Sequence, residues 1–181
     1  VLMGVPTFYT RLLAEPGFRR EVTTKVRLFI SGSAPLLTDT FAEFEERTGQ
    51  RILERYGMSE AGMITSNPLT GVRKGGTVGV PLPGNRVRVT NEQDQALQAG
   101  GVGVVQIKGD NVFAGYWLLP EKTKEEFTAD GWFRTGDVGV FDQDGYLSIV
   151  GRAKDLIITG GYNVYPKEIE LVLDALPGVM E

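Results

Sequence analysis

Two residue types are missing from this chain of 181 residues, which contains no cysteine and no histidine. The absence of cysteine excludes a thiol nucleophile, a disulfide framework and a thiolate metal site. Without histidine, neither a Ser-His-Asp triad nor an imidazole-ligated zinc site can be built from this chain alone. The absence of cysteine is compatible with a reducing compartment but does not show that the protein is located in one. The missing cysteines do not settle the compartment; we expect a cytoplasmic location, with a mitochondrial one left open for a eukaryote.

The chain also lacks a long apolar run, and its acidic residues outnumber its basic residues. No stretch approaches the roughly 18 apolar residues of a membrane span, and no charged-then-apolar leader opens the chain, so no membrane span is expected. The 19 lysines and arginines are outnumbered by 23 aspartates and glutamates, giving a net charge of −4. A nucleic acid is therefore not an expected partner. Because the chain begins at Val1 and stops soon after a helical pattern ends at Pro177, we expect an internal fragment of a longer protein.

Glycine, by contrast, is abundant. The chain has 24 glycines, about 13% of its residues against a usual value of roughly 7%. Such an excess indicates many turns, and loops in which the backbone approaches a ligand closely.

The first part of the chain, residues 1–66, has an α/β pattern. Val26–Ile30 is an apolar run of strand length, and Arg51–Tyr56 is a second predicted strand. Between them Thr38 is a candidate N-cap for a helix with Phe41 and Phe44 on one face. A strand, a helix and a strand within about 30 residues favour a parallel βαβ unit.

Residues 67–150 have a different pattern, in which glycine and proline separate short strands. The sequence predicts a β-rich subdomain here, with a hairpin turn at Asp142–Gly145. Its predicted strands are Asn85–Thr90, Val102–Lys108, Trp132–Phe141 and Tyr146–Val150. Residues 151–181 are predicted to begin a further unit, with a strand at Asp155–Thr159 and a helix from Pro166.

The segment SGSAPL, Ser31–Leu36, lies between a predicted strand and a predicted helix. In α/β sheets, ligands bind in the crevice beyond the carboxyl ends of the strands. Gly32 permits close backbone approach, and Ser33 offers a hydroxyl. An ordinary strand-to-helix turn is the alternative interpretation.

The segment ERYGMSEAG, Glu54–Gly62, combines an aromatic ring with a hydroxyl and a carboxylate. Tyr56 offers a ring that can stack on a base, while Ser59 and Glu60 suit Mg²⁺ and a phosphate oxygen. The alternative is a capped turn in which Ser59 is an N-cap and Glu60 lies in the first helical turn.

Two later segments carry further charged residues. Asp137 follows a glycine in TGD, and a carboxylate there can accept hydrogen bonds from ribose hydroxyls; the alternative is a solvated bulge. Arg152 and Lys154 stand before the glycine pair Gly160-Gly161, where a charged interdomain linker is the alternative.

These segments, in their order along the chain, resemble the core motifs of the adenylate-forming superfamily, which includes acyl-CoA synthetases, peptide-synthetase adenylation domains and firefly luciferase. The motifs are SGSAPL, RYGMSEAG, GTVGVPLPG, DGWFRTGD and GRAKDLI with GGYNVYPKEIE. VPTFYTRLL, RLFISGSAPL and ERYGMSE are most similar to the malonyl-CoA synthetase branch. The resemblance implies an α/β fold comprising the C-terminal part of the large AMP-binding domain (residues 1–150) and a hinge with the start of the small α+β domain (151–181).

The resemblance also implies a reaction and a set of nucleotide contacts. Members join a carboxylate to ATP, release pyrophosphate, and then let the CoA thiol displace AMP, so neither His nor Cys is needed. It implies that Ser33 and Ala34 line the adenine pocket, with Tyr56 and Gly57 beside the ring. Further implied roles are phosphate contact by Ser59, Mg²⁺ binding by Glu60, ribose binding by Asp137 and Arg152, a hinge at Lys154, and a CoA channel at Gly160, Gly161 and Tyr162.

Substrate choice follows from the same resemblance. Arg11 and Arg55, with Ser33, match the positions at which malonyl-CoA synthetases bind the second carboxylate of malonate, and methylmalonate is left open. A helix-surface cation is the alternative for Arg11. Two further functions stay open: a ligase for another carboxylic acid, and a non-catalytic nucleotide-binding module. Because the family's phosphate loop and distal lysine are absent from these residues, the chain alone is expected to be inactive.

Overall fold

A computed structural model describes residues 1–159, 162–174, 176 and 178–179. The described chain forms two compact units. The first comprises residues 1–58 and 63–82, and the second comprises residues 59–62 and the chain from residue 83 onward. The predicted α/β class is confirmed, whereas the predicted boundaries at residues 66 and 150 stay a prediction.

The first unit is built on a five-stranded mixed sheet with the strand order β1-β2-β3-β4-β5. β1 pairs with β2 and β2 with β3 in parallel, whereas β4 and β5 pair in antiparallel. The strands are β1 (Leu2–Gly4), β2 (Phe29–Ser31), β3 (Leu53–Met58), β4 (Gly62–Ser66) and β5 (Val80–Pro81).

Three helices accompany this sheet, and aromatic rings fill the space beneath them. They are α1 (Pro6–Ala14), α2 (Arg20–Thr23) and α3 (Thr38–Thr48). Phe44 of α3 is fully buried, with ring centroids 5.5 Å from Tyr9 and 4.9 Å from Phe29. The Tyr9 hydroxyl donates to the carbonyl oxygen of Ile30 at 2.6 Å, so this buried polar group is satisfied.

The predicted βαβ unit is confirmed by the parallel pairing of β2 and β3 on either side of α3. Gly49 ends α3 in the left-handed conformation at φ 70°, where its N–H donates to the carbonyl of Glu45. The predicted N-cap is wrong by one residue. Leu37 occupies the cap, Thr38 is the first helical residue, and no side chain caps the helix.

The second unit contains a four-stranded antiparallel sheet with the order β6-β7-β8-β9, as the β-rich pattern predicts. Its strands are β6 (Arg86–Thr90), β7 (Gly103–Lys108), β8 (Phe133–Phe141) and β9 (Leu147–Arg152), and helix α4 (Pro120–Glu126) precedes β8. The predicted hairpin joins β8 to β9. There the Asp142 carboxylate accepts from the N–H groups of Asp144 and Tyr146, and Gly145 has φ 80°.

The end of the described chain contains a two-stranded antiparallel ribbon and a helix. These are β10 (Ile157–Thr159), β11 (Tyr162–Val164) and α5 (Pro166–Asp174). The predicted strand from Asp155 begins later, because Ala153–Asp155 form a single 3₁₀ turn. Within the described part of the chain, none of the helices has the length and apolar character of a membrane span.

Candidate functional site

The loop after β2 presents Ser33 and Ala34 at the carboxyl end of a parallel strand. Both residues are exposed, whereas Leu36 is buried and holds the far end of the loop. Ser33 has φ 72°, a left-handed conformation that is uncommon outside glycine. Gly32 lies against β3, and a Cβ placed there would be 3.2 Å from the carbonyl oxygen of Arg55. The loop therefore lies close to β3, and Ser33 has a strained backbone conformation. Such strain is often found at ligand sites.

Arg55 on β3 lies beside this loop with its guanidinium poorly satisfied. Its Nε is buried and makes no hydrogen bond. Its two terminal nitrogens donate to the thioether sulfurs of Met63 and Met3, which are weak acceptors. A cation in this state has donors to offer to an anionic ligand. Arg11, the second predicted acyl-end cation, has an exposed side chain on α1.

Tyr56 and Gly57 follow on the same strand. Both are half-buried, and Tyr56 belongs to the first unit together with Ser33, Ala34 and Arg55. The structure thus gathers these four predicted residues into the sheet and loops of one unit.

Sequence reasoning did not identify Glu54, the residue before Arg55. It is 4% exposed, and its carboxyl accepts the N–H of Gly76 at 3.2 Å. Burial raises the pKa of Glu54 to about 8, although the backbone N–H groups of Gly76 and Leu36 act in the opposite direction. The sequence feature that could have identified Glu54 is its position next to the apolar Leu53, in a strand expected to be buried in a parallel sheet.

Ser59 and Glu60 lie in the tight turn between β3 and β4, within the second unit. The alternative of a helical cap at Ser59 is wrong, because no helix starts here. The hydroxyl of Tyr116 donates to the Glu60 carboxylate at 3.1 Å, and the Phe113 N–H donates to the Glu60 carbonyl at 2.7 Å. Asn111 donates through its side-chain amide to the carbonyl of Ala61. The segment 111–116 therefore holds the turn that carries Glu60.

Tyr116 was also missed by the sequence reasoning, since no local pattern ties it to a residue 56 positions away. Burial, followed by the hydrogen bond to Glu60 and its charge, raises the pKa of Tyr116 to about 12. The phenol stays protonated near neutral pH and keeps donating to the Glu60 carboxylate.

Glu60 is compatible with the Mg²⁺ assigned to it. Among the described residues no cluster of three or more acidic ligands exists. Mg²⁺ commonly binds through one or two carboxylates and completes its shell with water and substrate phosphates, so a single carboxylate beside the hydroxyl of Ser59 suits it.

Asp137 and Arg152 are brought together by the pairing of β8 with β9. Arg152 Nε lies 3.4 Å from Asp137 Oδ1, and the two residues are opposite each other in the ladder. The pairing of β8 with β7 shifts register between Arg134 and Val138, as at a bulge, but Asp137 is 8% exposed, so the solvated part of that alternative is wrong. The carboxylate is held in place by a partly exposed cation, an arrangement that suits recognition of hydroxyl groups.

The remaining predicted residues lie near the end of the chain. Lys154 is exposed in the 3₁₀ turn after β9, and Tyr162 begins β11. Gly160 and Gly161 lie outside the described residues. The functional roles assigned to all of these site residues stay predictions.

Comparison with known proteins identifies the family. The family model described as AMP-binding enzyme matches residues 1–117, and the chain belongs to this family. It is 44% identical over 190 residues to the malonate–CoA ligase of Arabidopsis thaliana, covering 100% of this chain and 31% of that protein. It is 44% identical over 179 residues to the sulfoacetate–CoA ligase of Cupriavidus necator, covering 98% of this chain and 35% of that protein.

Solved structures agree with the curated relatives. The ATP-bound MatB from Rhodopseudomonas palustris superposes with a TM-score of 0.96 at 59% identity, covering 99% of this chain and 36% of that one. The predicted resemblance to adenylate-forming enzymes, and to their malonyl-CoA synthetase branch, is confirmed. The chain spans about a third of the length of the proteins that it matches.

Proposed function

We propose that this chain is part of an AMP-forming acid–CoA ligase that adenylates malonate with ATP and then forms the thioester with CoA. The observation that carries the proposal is the guanidinium of Arg55, buried at Nε without a partner and otherwise facing only sulfur. Similarity to a malonate–CoA ligase and to a sulfoacetate–CoA ligase supports it, since both named acids carry a second anionic group.

In the first half-reaction the protein has to bring two anions together, the acid carboxylate and the triphosphate. The proposal assigns adenine to Ser33, Ala34 and Tyr56 with Gly57, and the ribose hydroxyls to Asp137 and Arg152. Ser59 would contact phosphate, and Glu60 would hold Mg²⁺, which when bound offsets charge on the phosphates. Tyr116 keeps the Glu60 carboxylate in one orientation through its hydrogen bond.

The substrate carboxylate is the nucleophile in this step, and its oxygen forms a bond to the α-phosphorus as the bond to pyrophosphate breaks. Positioning is therefore the main contribution of the chain. In the second half-reaction the CoA sulfur attacks the acyl carbon and AMP leaves, with Lys154 at the hinge and Gly160, Gly161 and Tyr162 assigned to the CoA channel.

Arg55, with Arg11 and Ser33 assisting, is proposed to bind the second carboxylate of malonate. A hydrogen bond to a charged group contributes about 1.5–3 kcal/mol. Acetate or a fatty acid would leave the guanidinium, whose Nε is buried, without an anionic partner, so the same group that favours malonate disfavours a monocarboxylate.

The test is substitution of Arg55 in the full-length protein that contains this chain. Arg55→Ala should lower kcat/KM for malonate about 10- to 150-fold, the equivalent of one charge-assisted hydrogen bond. The measurement is malonate-dependent pyrophosphate release with ATP, Mg²⁺ and CoA. Arg51→Ala is the matched control, because Arg51 pairs with Glu45 at the surface. An Arg55→Ala enzyme with unchanged kcat/KM for malonate would contradict the assignment.

We further propose that the enzyme works in the cytoplasm, with a mitochondrial location as the alternative in a eukaryote. Imaging of the tagged full-length protein in its own cells distinguishes the two.

A further inference from the structure

Thr135 on β8 is a half-buried residue to which the proposed reaction assigns no role. Its hydroxyl donates to the carbonyl oxygen of Val105 on β7 at 2.8 Å and accepts the backbone N–H of Asp137 at 3.1 Å. Val105 is fully buried, and β7 is an inner strand of the four-stranded sheet. One hydroxyl therefore ties the backbone of Asp137 to the interior of the sheet.

This hydroxyl lies at an irregularity in the pairing of β7 with β8. On β7 a single residue, Val105, stands between two register positions that are separated on β8 by the three residues 135–137. Gly136, in the middle of the three, has φ 74°, a left-handed conformation that glycine adopts readily. Because a bulged stretch cannot continue the regular ladder, the side chain of Thr135 supplies hydrogen bonds to the backbone in its place.

On the other side of β8, Asp137 is opposite Arg152 of β9, whose Nε lies 3.4 Å from Asp137 Oδ1. The Arg152 side chain is 61% exposed, and an ion pair with such an exposed partner contributes little to fixing a carboxylate. The position of the carboxylate therefore depends largely on the backbone that carries it, to which the Thr135 hydroxyl is bonded.

The shape of the strand does not by itself require threonine at this position. Valine has the same branched shape and is equally suited to a half-buried position in a strand. What the hydroxyl adds is an acceptor for the Asp137 N–H. The two neighbouring hydroxyls of a ribose need the carboxylate at a defined distance, and a displacement of about 1 Å can lower a rate about 100-fold.

We propose that Thr135 is a positioning residue: its hydroxyl joins the backbone of Asp137 to β7 and thereby holds the Asp137 carboxylate where it binds the ribose hydroxyls of ATP. The contact with ribose rests on the proposed function. Thr135 acts through Asp137 and not through a bond of its own to the nucleotide.

The test compares three variants of the full-length protein. Thr135→Val keeps the shape and removes the hydroxyl, whereas Thr135→Ser keeps the hydroxyl. Thr48→Val is the matched control in the first unit, because the Thr48 hydroxyl makes the same pair of bonds at the end of α3. It donates to the carbonyl of Phe44 at 2.6 Å and accepts the N–H of Gln50 at 3.1 Å.

The measured quantity is kcat/KM for ATP and for 2′,3′-dideoxy-ATP, which lacks both ribose hydroxyls, in malonate-dependent pyrophosphate release. Wild type should prefer ATP by about 10- to 150-fold. Thr135→Val should lower kcat/KM for ATP at least about tenfold and that for the dideoxy nucleotide less than about twofold. Thr135→Ser and Thr48→Val should keep the preference within about threefold of wild type. A merely structural role would lower both nucleotides alike and leave the preference unchanged.

Hydrogen exchange gives a readout that does not depend on activity. In Thr135→Val the amide of Asp137 should exchange at least about fivefold faster, while the amides of α3 stay as in wild type. If Thr135→Val does not fold, Thr135→Ala makes the same comparison, and failure of both to fold overturns the proposal.

The proposal is also overturned if Thr135→Val keeps both the wild-type preference and the wild-type exchange, if kcat/KM falls equally for the two nucleotides, or if Thr135→Ser loses the preference as Thr135→Val does. If wild type itself does not prefer ATP over the dideoxy nucleotide, the ribose assignment of the proposed function fails. Exchange at Asp137 alone then decides whether Thr135 holds this residue.

Discussion

At the scale of the residue, Glu54 makes the stability of the protein depend on pH. The pKa of this carboxyl rises from its ordinary value of 4.5 to about 8 on folding, because burial disfavours the charged form. Between these two values the folded chain keeps a proton that the unfolded chain has lost. The free energy of unfolding should therefore fall as the pH rises from about 4.5 to about 8.

This contribution can be isolated by comparing wild type with Glu54→Gln. Other groups titrate alike in both proteins, so the difference in unfolding free energy between them should change with pH by up to about 1.4 kcal/mol per unit across this window. Urea denaturation at pH 5, 6, 7 and 8 measures it. Parallel pH profiles for the two proteins would show that Glu54 ionises alike in the folded and unfolded chain.

Individual residues also show what a sequence can indicate about a site. Ser33, Glu60 and Asp137 stand in recognisable motifs, because the roles proposed for them require a particular residue beside a glycine or at a strand end. Glu54 and Tyr116 act through partners 22 and 56 residues away, and such long-range hydrogen bonds leave no local pattern. Burial of Asp137 was likewise not predictable, since it depends on the pairing of β8 with β9.

At the scale of the element, local chemistry predicted the central part of the first unit and one hairpin of the second unit. The parallel β2–α3–β3 arrangement, the glycine that ends α3 and the hairpin at Asp142–Gly145 were all expected from turn residues and apolar spacing. The sequence placed the N-cap of α3 at Thr38 because threonine is a common N-cap residue. The helix instead begins without a side-chain cap, with Leu37 at the cap position. Strand ends shifted by one to three residues because pairing partners, rather than propensity, decide where a ladder stops.

The packing of α3 on the sheet gives a direct stability prediction. Phe44 is fully buried among the rings of Tyr9, Phe18 and Phe29. Phe44→Ala should lower the free energy of unfolding by about 3–5 kcal/mol, through lost burial and the cavity left behind. Denaturant unfolding measures the change. Leu69→Ala, at a residue 67% exposed, is the control and should stay within about 0.5 kcal/mol of wild type. Equal effects of the two substitutions would contradict the core described here.

At the scale of the whole molecule, the order of the motifs along the sequence predicts the family without any information on tertiary contacts. The match to the AMP-binding family over residues 1–117 confirms that resemblance. The division into two compact units, with residues 59–62 assigned to the second, was not predicted, because it depends on contacts of the Glu60 turn with residues 111–116.

The central claim, that the full-length protein selects an acid with a second anionic group, is tested most directly on the wild-type protein. Pyrophosphate release with ATP, Mg²⁺ and CoA is measured across malonate, methylmalonate, sulfoacetate, acetate, octanoate and benzoate. The account predicts that kcat/KM for malonate exceeds that for each monocarboxylate by about 10- to 150-fold. This ratio corresponds to the free energy of one hydrogen bond to a charged group. Equal or higher kcat/KM for acetate, octanoate or benzoate would contradict it, and nucleotide binding without pyrophosphate release for any acid would indicate a non-catalytic module.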